Sequence, residues 1–435
     1  MKRSHPISLI PFGIFLFIFI ILNIIYSSAD IVRDNFPVFA AFAAIIASFF
    51  TFRNNETFNE KVEIFLQGST QAMIVHMCYI FYVSTVFTTI LEQIGGITAV
   101  VNLSLFFIPE WCMLPGFFMV ASLFSFMVGT SMGAIAAFMP IAVSIASHLS
   151  LNPSIMAATI VCGATFGDNL SIISDTTIAA VKITNSSMKK KLLLNTKIAA
   201  PAFLTSVAML TYHNYVIAST IGTTHQSVIN NLDFIKILPY IATFYLALTG
   251  LDILIVLIAG IIFAMGIGIW LESVTFLQVI NLVFDGFYAS KGMVNIFILV
   301  LLLAGLSKII SHNGGIEYLI DKLKNKITNP CHAKIAIFLL ITIINIMIAI
   351  NTISILITGP VATKIGNDFD LQPAETACIL DIGSCVSQGL LPYAPQLLLA
   401  ASMAQVSAIS LLPYLYYQYF LGISLLVFIV CRNKK

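Results

Sequence analysis

The stretch Gly163-Ala164-Thr165-Phe166-Gly167-Asp168-Asn169-Leu170-Ser171-Ile172-Ile173-Ser174-Asp175-Thr176-Thr177 decides how this chain folds. It lies in the middle of a long apolar segment, 153 to 184, yet it carries two carboxylates, an amide, several hydroxyls and two glycines. A hydrocarbon layer of ~30 Å takes ~20 apolar residues per helix, and a charge inside it costs ~2.5 to 3.5 kcal/mol on insertion scales. Two acids at that depth are read as functional, and the glycines beside them as the place where the helix unwinds and frees its carbonyls. The competing reading is a loop with Asp168 as an N-cap and Ser and Thr as turn residues. It would leave both flanking runs too short to cross.

Outward from this stretch, the whole chain reads as a membrane protein. Of 435 residues 59% are apolar and only 9% charged, and the mean hydropathy is +0.99. No polar surface is left to cover soluble domains, and a net charge of +2 offers no field for nucleic acid. The seven cysteines fall mostly in apolar runs without C-x-x-C spacing, as small buried hydrophobes rather than a zinc site or disulfide framework. Ten full spans are expected, about 7 to 26, 36 to 52, 69 to 91, 153 to 184, 192 to 217, 234 to 249, 251 to 270, 291 to 311, 373 to 404 and 412 to 431. Residues 113 to 148 and 333 to 368 are each too long for one span and are interrupted at Gly129-Thr130-Ser131-Met132-Gly133 and at Asn351-Thr352-Ile353-Ser354. Both read as re-entrant hairpins with the interruption at the tip.

With both termini cytoplasmic, all Lys and Arg except Arg33, Lys236 and Lys291 fall on the inner side, Lys189-Lys190-Lys191 among them. The expected location is the cytoplasmic (inner) membrane, with the first apolar run kept as a span rather than a cleaved signal.

The chain also repeats itself at an offset of about 220 residues. Leu91-Glu92-Gln93-Ile94-Gly95-Gly96 returns as Ile310-Ser311-His312-Asn313-Gly314-Gly315, Pro140 as Pro360, Pro153 as Pro373 and Gly163 as Gly383. Residues 1 to 217 and 234 to 435, joined by an external connection 218 to 233, then hold five spans each, one of them a broken helix, plus one hairpin. An odd span number inserts the two units in opposite senses, as an inverted repeat with its site near the midplane. That is the plan of a secondary transporter. No G-x-x-x-x-G-K-[S/T] supports an ATP-driven pump, and H-E-x-x-H and G-x-S-x-G are absent. An aspartyl protease is disfavoured because both acids lie on one span; a channel would differ by linear rather than saturable flux.

The expected ion and proton site is Asp168, Asn169, Ser171, Ser174, Asp175 and Thr176, an all-oxygen set suited to a hard cation held at Asp168 and Asp175. Burial favours a neutral carboxyl and a bound cation favours an ionised one, so either acid can exchange a proton for that cation. The corresponding second-half stretch, Ser384 to Pro395, puts Gln388 opposite Asp168 and breaks at Gly389, Pro392 and Pro395 without a charge. Gln388, Tyr393 and the tips Thr130, Ser131, Asn351, Thr352 and Ser354 are expected to shape the cavity. Asp381 is either a second proton or ion ligand or the partner of a Lys or the backbone. His76, in the third span, is read as a packing residue or a pH sensor.

The run Gly167 to Thr177, with the tip at 129 to 131, the Gly95-Gly96 pair and Pro392-Tyr393, resembles the signature of the NhaC-type sodium/proton antiporter family. The likeness extends over most of the chain. It implies an all-α membrane protein of about ten transmembrane helices plus two re-entrant hairpins, similar in design to the wider ion-transporter superfamily, exchanging Na⁺ for H⁺ by alternating access. By that resemblance Asp168, Asn169, Ser174, Asp175 and Thr176 form the ion and proton site. Two departures stand out: Ile172 where the family usually has proline, and Pro392-Tyr393-Ala394 where it has Pro-Trp-Asn. They keep a Na⁺- or H⁺-coupled carrier of an amino acid or small organic acid as the alternative. No enzyme and no cofactor are implied; the expected partners are membrane lipids, monovalent cations and protons, with a homodimer as the assembly to test.

Overall fold

The computed structural model describes residues 6–25, 35–51, 56–100, 112–148, 151–218, 231–249, 251–271, 273–289, 291–324 and 327–431. Most of the expected external connection 218 to 233 lies outside them, as do the basic residues Lys2, Arg3, Arg33, Arg53, Lys326, Arg432, Lys434 and Lys435.

Among the described residues the regular structure is helical throughout. In chain order the helices are α1 (Ile10–Ile25), α2 (Phe36–Phe50), α3 (Phe58–Ser69), α4 (Ala72–Gln93), α5 (Met113–Val128), α6 (Ser131–His148), α7 (Pro153–Leu170), α8 (Asp175–Thr184), α9 (Met188–Ala218) and α10 (Asn231–Leu248). There follow α11 (Ile253–Trp270), α12 (Phe276–Ala289), α13 (Lys291–His312), α14 (Gly315–Lys324), α15 (Pro330–Ile348), α16 (Asn351–Asp368), α17 (Pro373–Gly389), α18 (Pro395–Met403), α19 (Ala408–Leu411) and α20 (Tyr416–Cys431).

Among the described residues seven helical segments are long and apolar enough to cross a membrane alone, or eight if the pair Pro395–Met403 and Ala408–Tyr414, bent by 98°, counts as one span. This differs from the ten spans expected. Phe36–Phe50, Phe234–Leu246 and Tyr416–Cys431 are apolar but shorter, and Pro330–Ile348, expected as a hairpin arm, is long enough by itself. Several helices were not anticipated between the spans, α3, α12, α14 and α19; of these, α3 and α12 have clear N-terminal caps. Both start at a signal the sequence contains: Thr57 and Glu60 form a capping box, and Thr275 and Gln278 make the same reciprocal bonds.

The helices around the polar stretch begin and end where their chemistry requires. Pro153 at the first turn of α7 has no N–H to satisfy, and Asn152 caps it by accepting from the Ser154 amide at 2.9 Å. Pro373 and Pro395 open α17 and α18 in the same manner. Between α5 and α6 the chain reverses at Gly129 with φ of 74°, a conformation that suits glycine. Between α15 and α16 it reverses at Ala349 with φ of 58°, 220 positions later. Positive φ also recurs at Gly95 and Gly314, and at Asn185 and Gln405. A cross-helix bond follows the same offset: Ser125 Oγ donates to the Ala164 carbonyl at 2.6 Å, and Asn345 Nδ2 to the Ser384 carbonyl at 2.8 Å.

Close packing sets α5 against α7. Gly163 and Gly167, one turn apart, face the α5 backbone, where a Cβ on Gly167 would meet the Ser122 carbonyl and the Phe126 amide. Small residues at this spacing let two backbones touch and gain dispersion contacts where lipid offers no hydrophobic drive. The contact places Asp168, the next residue, against the hairpin tip.

Candidate functional site

Helix α7 stops at Leu170 and α8 starts at Asp175, so Ser171 to Ser174 form a break inside what the sequence presents as one apolar run. Asp168 sits in the last turn before it, 7% exposed. Its Oδ2 accepts from Ser131 Oγ at 3.1 Å, and Ser131 Oγ in turn accepts from Gln396 Nε2 at 2.6 Å. The amide has only donors to offer from Nε2, which leaves the single Ser131 proton directed at the carboxylate. Asp168 Oδ1, Asn169 Oδ1 and Ser171 Oγ are buried without a hydrogen-bond partner among the described residues. Buried oxygens are normally satisfied, so three of them on one break mark a place built for something that supplies positive charge or protons.

A cavity of about 390 Å³ opens beside the break. Of the expected residues, Asp168, Ser174, Asp175 and Thr176 line it from the first unit, with Thr130 and Ser131 from the first tip. Asn351, Thr352 and Gln388 line it from the second unit. Ser174 and Thr176 hydroxyls lie 3.0 Å apart. The second tip is tied down from behind: Gln388 Nε2 donates to the Ala349 carbonyl at 2.9 Å, Asn345 Nδ2 to Asn351 Oδ1 at 3.0 Å, and Ser354 Oγ to Asn345 Oδ1 at 2.9 Å. Ser354 therefore braces the tip and does not line the cavity.

His76 and Asp252 line the cavity and pair with each other at 3.0 Å, both partly exposed. Asp252 is also the N-cap of α11, accepting from the Leu254 amide at 2.8 Å. The cavity thus holds three carboxylates and one imidazole, a field that attracts cations.

Four expected residues stand behind the cavity wall. Asn169 donates to Tyr417 Oη at 3.0 Å, and Tyr417 is fixed by the rings of Phe118 and Phe166. Ser171 sits under Gly129, its Oγ 3.1 Å from where a Cβ there would lie. Tyr393, expected at the second break, turns away: its hydroxyl donates to the Ile346 carbonyl at 2.7 Å and its ring meets Phe15 and Phe19 edge-on at 5.0 and 5.8 Å. A phenol large enough to bury against two rings gains more there than in a wet cavity.

Asp381 is the fourth. Its Oδ2 pairs with Lys191 Nζ at 2.5 Å, both side chains fully buried, and accepts from Asn195 Nδ2 at 2.8 Å. Of the two readings of Asp381 left open by the sequence, pairing to a lysine is the one found. Lys191 was expected with Lys189 and Lys190 at the inner surface. Those two are exposed; Lys191 is not, because it points inward from α9 together with Asn195 one turn on. The i, i+4 spacing of a lysine and an asparagine opposite an apolar face was the signal available in the sequence. Asn195 also reaches the Asn169 carbonyl at 2.8 Å, which links the Asp381 pair to the break.

A buried acid at a helix break, hydroxyl-lined tips and an acidic cavity in an all-helical chain that crosses a membrane repeatedly define a multi-pass secondary transporter. The sequence matches the Na⁺/H⁺ antiporter family over residues 6–192 and again over 183–432, and the chain belongs to that family. It is an antiporter by family, and its curated relatives include another: the arginine/ornithine antiporter ArcD of Halobacterium salinarum is 25% identical over 337 residues, spanning 70% of this chain and 68% of that one. The YdaH transporter of Alcanivorax borkumensis aligns over 98% of both chains with 13% identity and a TM-score of 0.44.

Proposed function

We propose that the chain exchanges Na⁺ for H⁺ across the cytoplasmic membrane, with Asp168 carrying either ion in turn. The observation that supports this most is the buried Asp168 carboxylate in the cavity wall beside the break, its Oδ1 without a hydrogen-bond partner. A proton on Asp168 or a cation held by its carboxylate neutralises the same group, and two ions that neutralise one acid compete for it. Competition at one site that faces alternate sides is exchange.

The two units of the sequence supply the moving parts of this mechanism, as an inverted repeat with hairpin tips meeting at the site. With both termini cytoplasmic, the starts of α4 and α11 lie on the inner side, and His76 and Asp252 line the cavity near those starts. The Gln396 bond to Ser131 and the packing of Tyr393 on Phe15 and Phe19 tie the two units together. Rocking one unit against the other would release these contacts and close the cavity. Proton entry then yields ~2.3 kcal/mol per 100 mV if the cycle moves net charge.

A second reading is a Na⁺- or H⁺-coupled carrier or exchanger of an amino acid. It is favoured by a cavity of about 390 Å³, far more space than a dehydrated Na⁺ fills, and by the likeness to ArcD. Proteoliposomes with an internal pH-sensitive dye test the first reading. Na⁺, Li⁺ or K⁺ added outside is expected to drive proton movement in the wild type and to fail in Asp168→Asn. Proton movement that needs an added amino acid, with none from cation alone, would replace the first reading by the second.

A further inference from the structure

Asp168 in the cavity wall and the layer directly behind it together hold two buried carboxylates, Asp168 and Asp381, and one buried ammonium, Lys191. The other buried lysine, Lys334, has its own partner in Glu375, between α15 and α17. Asp168, Asp381 and Lys191 all lie within electrostatic reach of the Cys385 thiol, and Asp168 and Asp381 within reach of one another, so they share one low-dielectric region. Two negative charges and one positive there are one cation short of balance. Lys191 settles which acid is balanced: its Nζ contacts Asp381 and donates to Thr177 Oγ1 at 2.6 Å, and the carboxylate also receives Asn195. The surroundings of the ammonium are oxygens contributed by a carboxylate and a hydroxyl, with a second carboxylate oxygen, Asp381 Oδ1, buried and without a hydrogen-bond partner. Such a set suits a hard monovalent cation.

We propose that Asp381 and Thr177 form a second monovalent-cation site, permanently filled by the Lys191 ammonium, and that this restricts the buried layer to one exchangeable positive charge. The inference rests on the reading that Asp168 takes the transported cation, and deepens it by assigning the number of ions. Because the tethered ammonium cannot leave, Asp381 takes no part in release. It sets the local charge instead, so that Asp168 is the acid left to recruit Na⁺ or H⁺. Asn195 couples the two by holding Asp381 and the Asn169 carbonyl with one amide.

The test is Na⁺ binding to the purified full-length protein at mildly alkaline pH, by calorimetric titration and by thermal stabilisation against choline at equal ionic strength. The wild type is expected to bind one Na⁺, lost in Asp168→Asn. Lys191→Gln is expected to bind two, and Lys191→Gln with Asp381→Asn to return to one. Asp381→Asn alone leaves the ammonium unmatched beside Asp168 and is expected to weaken Na⁺ binding by about tenfold or more. A Lys191→Gln protein that gains no site, or whose added site survives Asp381→Asn, overturns the proposal whatever the wild type binds. If Lys191→Gln does not fold, the other pair decides: a double variant as weak as Asp381→Asn would make Asp381 a direct ligand and overturn it equally. Failure of Asp168→Asn to lose the wild-type site sinks the reading of Asp168 alone.

Discussion

Gly167→Ala adds one methyl group at the point where two backbones touch. The added Cβ would meet the Ser122 carbonyl oxygen, and would stand 2.6 Å from the Phe126 amide nitrogen and 2.8 Å from Ser125 Cβ. None of these is the end of a flexible side chain, so the strain cannot be relieved by a rotamer change. Alanine gains up to ~1 kcal/mol of helix propensity over glycine, whereas overpacking a tight interface costs ~1 to 3 kcal/mol and more when only backbone can move. The net expectation is a loss of ~1 to 2 kcal/mol, with α5 pushed off α7. The displacement would also lengthen the Ser125 bond to the Ala164 carbonyl and shift the tip that carries Ser131. Thermal unfolding in detergent should therefore show a lower midpoint, and transport in proteoliposomes should fall with it. Gly13 and Gly266 serve as controls, because a Cβ on either meets nothing within 4 Å; alanine there should leave stability unchanged or slightly raised. A Gly167→Ala protein with wild-type midpoint and wild-type transport would refute the packing argument.

Ser131→Ala removes the hydroxyl between Gln396 and Asp168, and with it a donor to a charged group worth ~1.5 to 3 kcal/mol; Na⁺ concentration dependence of transport should shift to about tenfold higher values or more. Tyr393→Phe keeps both aromatic edges and loses the bond to the Ile346 carbonyl, so unfolding should become easier by ~1 kcal/mol with cation selectivity unaltered, and a changed selectivity would place Tyr393 at the ion after all. Thr57→Ala breaks the capping box of α3 and should cost ~0.5 to 2 kcal/mol in thermal stability while the transport rate at low temperature stays as in the wild type.

The helix break and the chain reversals were legible because a membrane makes the demand simple: apolar residues for some twenty positions, and a stated reason for every polar one. The break at Ser171 to Ser174 falls inside the stretch whose glycines and acids marked it, and the chain reverses at Gly129 within the first expected tip. The span count was less legible. Length and apolarity read 36 to 52 or 234 to 249 as full spans, but a helix may end early or bend, and caps such as Thr57 and Glu60 start helices that no apolar run announces.

That the chain is helical and membrane-bound, where its long helix breaks, and which acids stand at the break were all readable from the residues, since each depends on neighbours along one segment. Tertiary structure decided which of those acids face the cavity and which are neutralised. Lys191 looks like any residue of a basic surface run until α9 turns it toward α17, and Asp381 looks like a second ion ligand until that lysine meets it. Tyr393 reads as a cavity residue until Phe15 and Phe19 cover it. The physical reason is common to all three: the cost of burying a charge or a phenol is set by its partner, and here the partner is 190, 378 or 374 positions away in the chain.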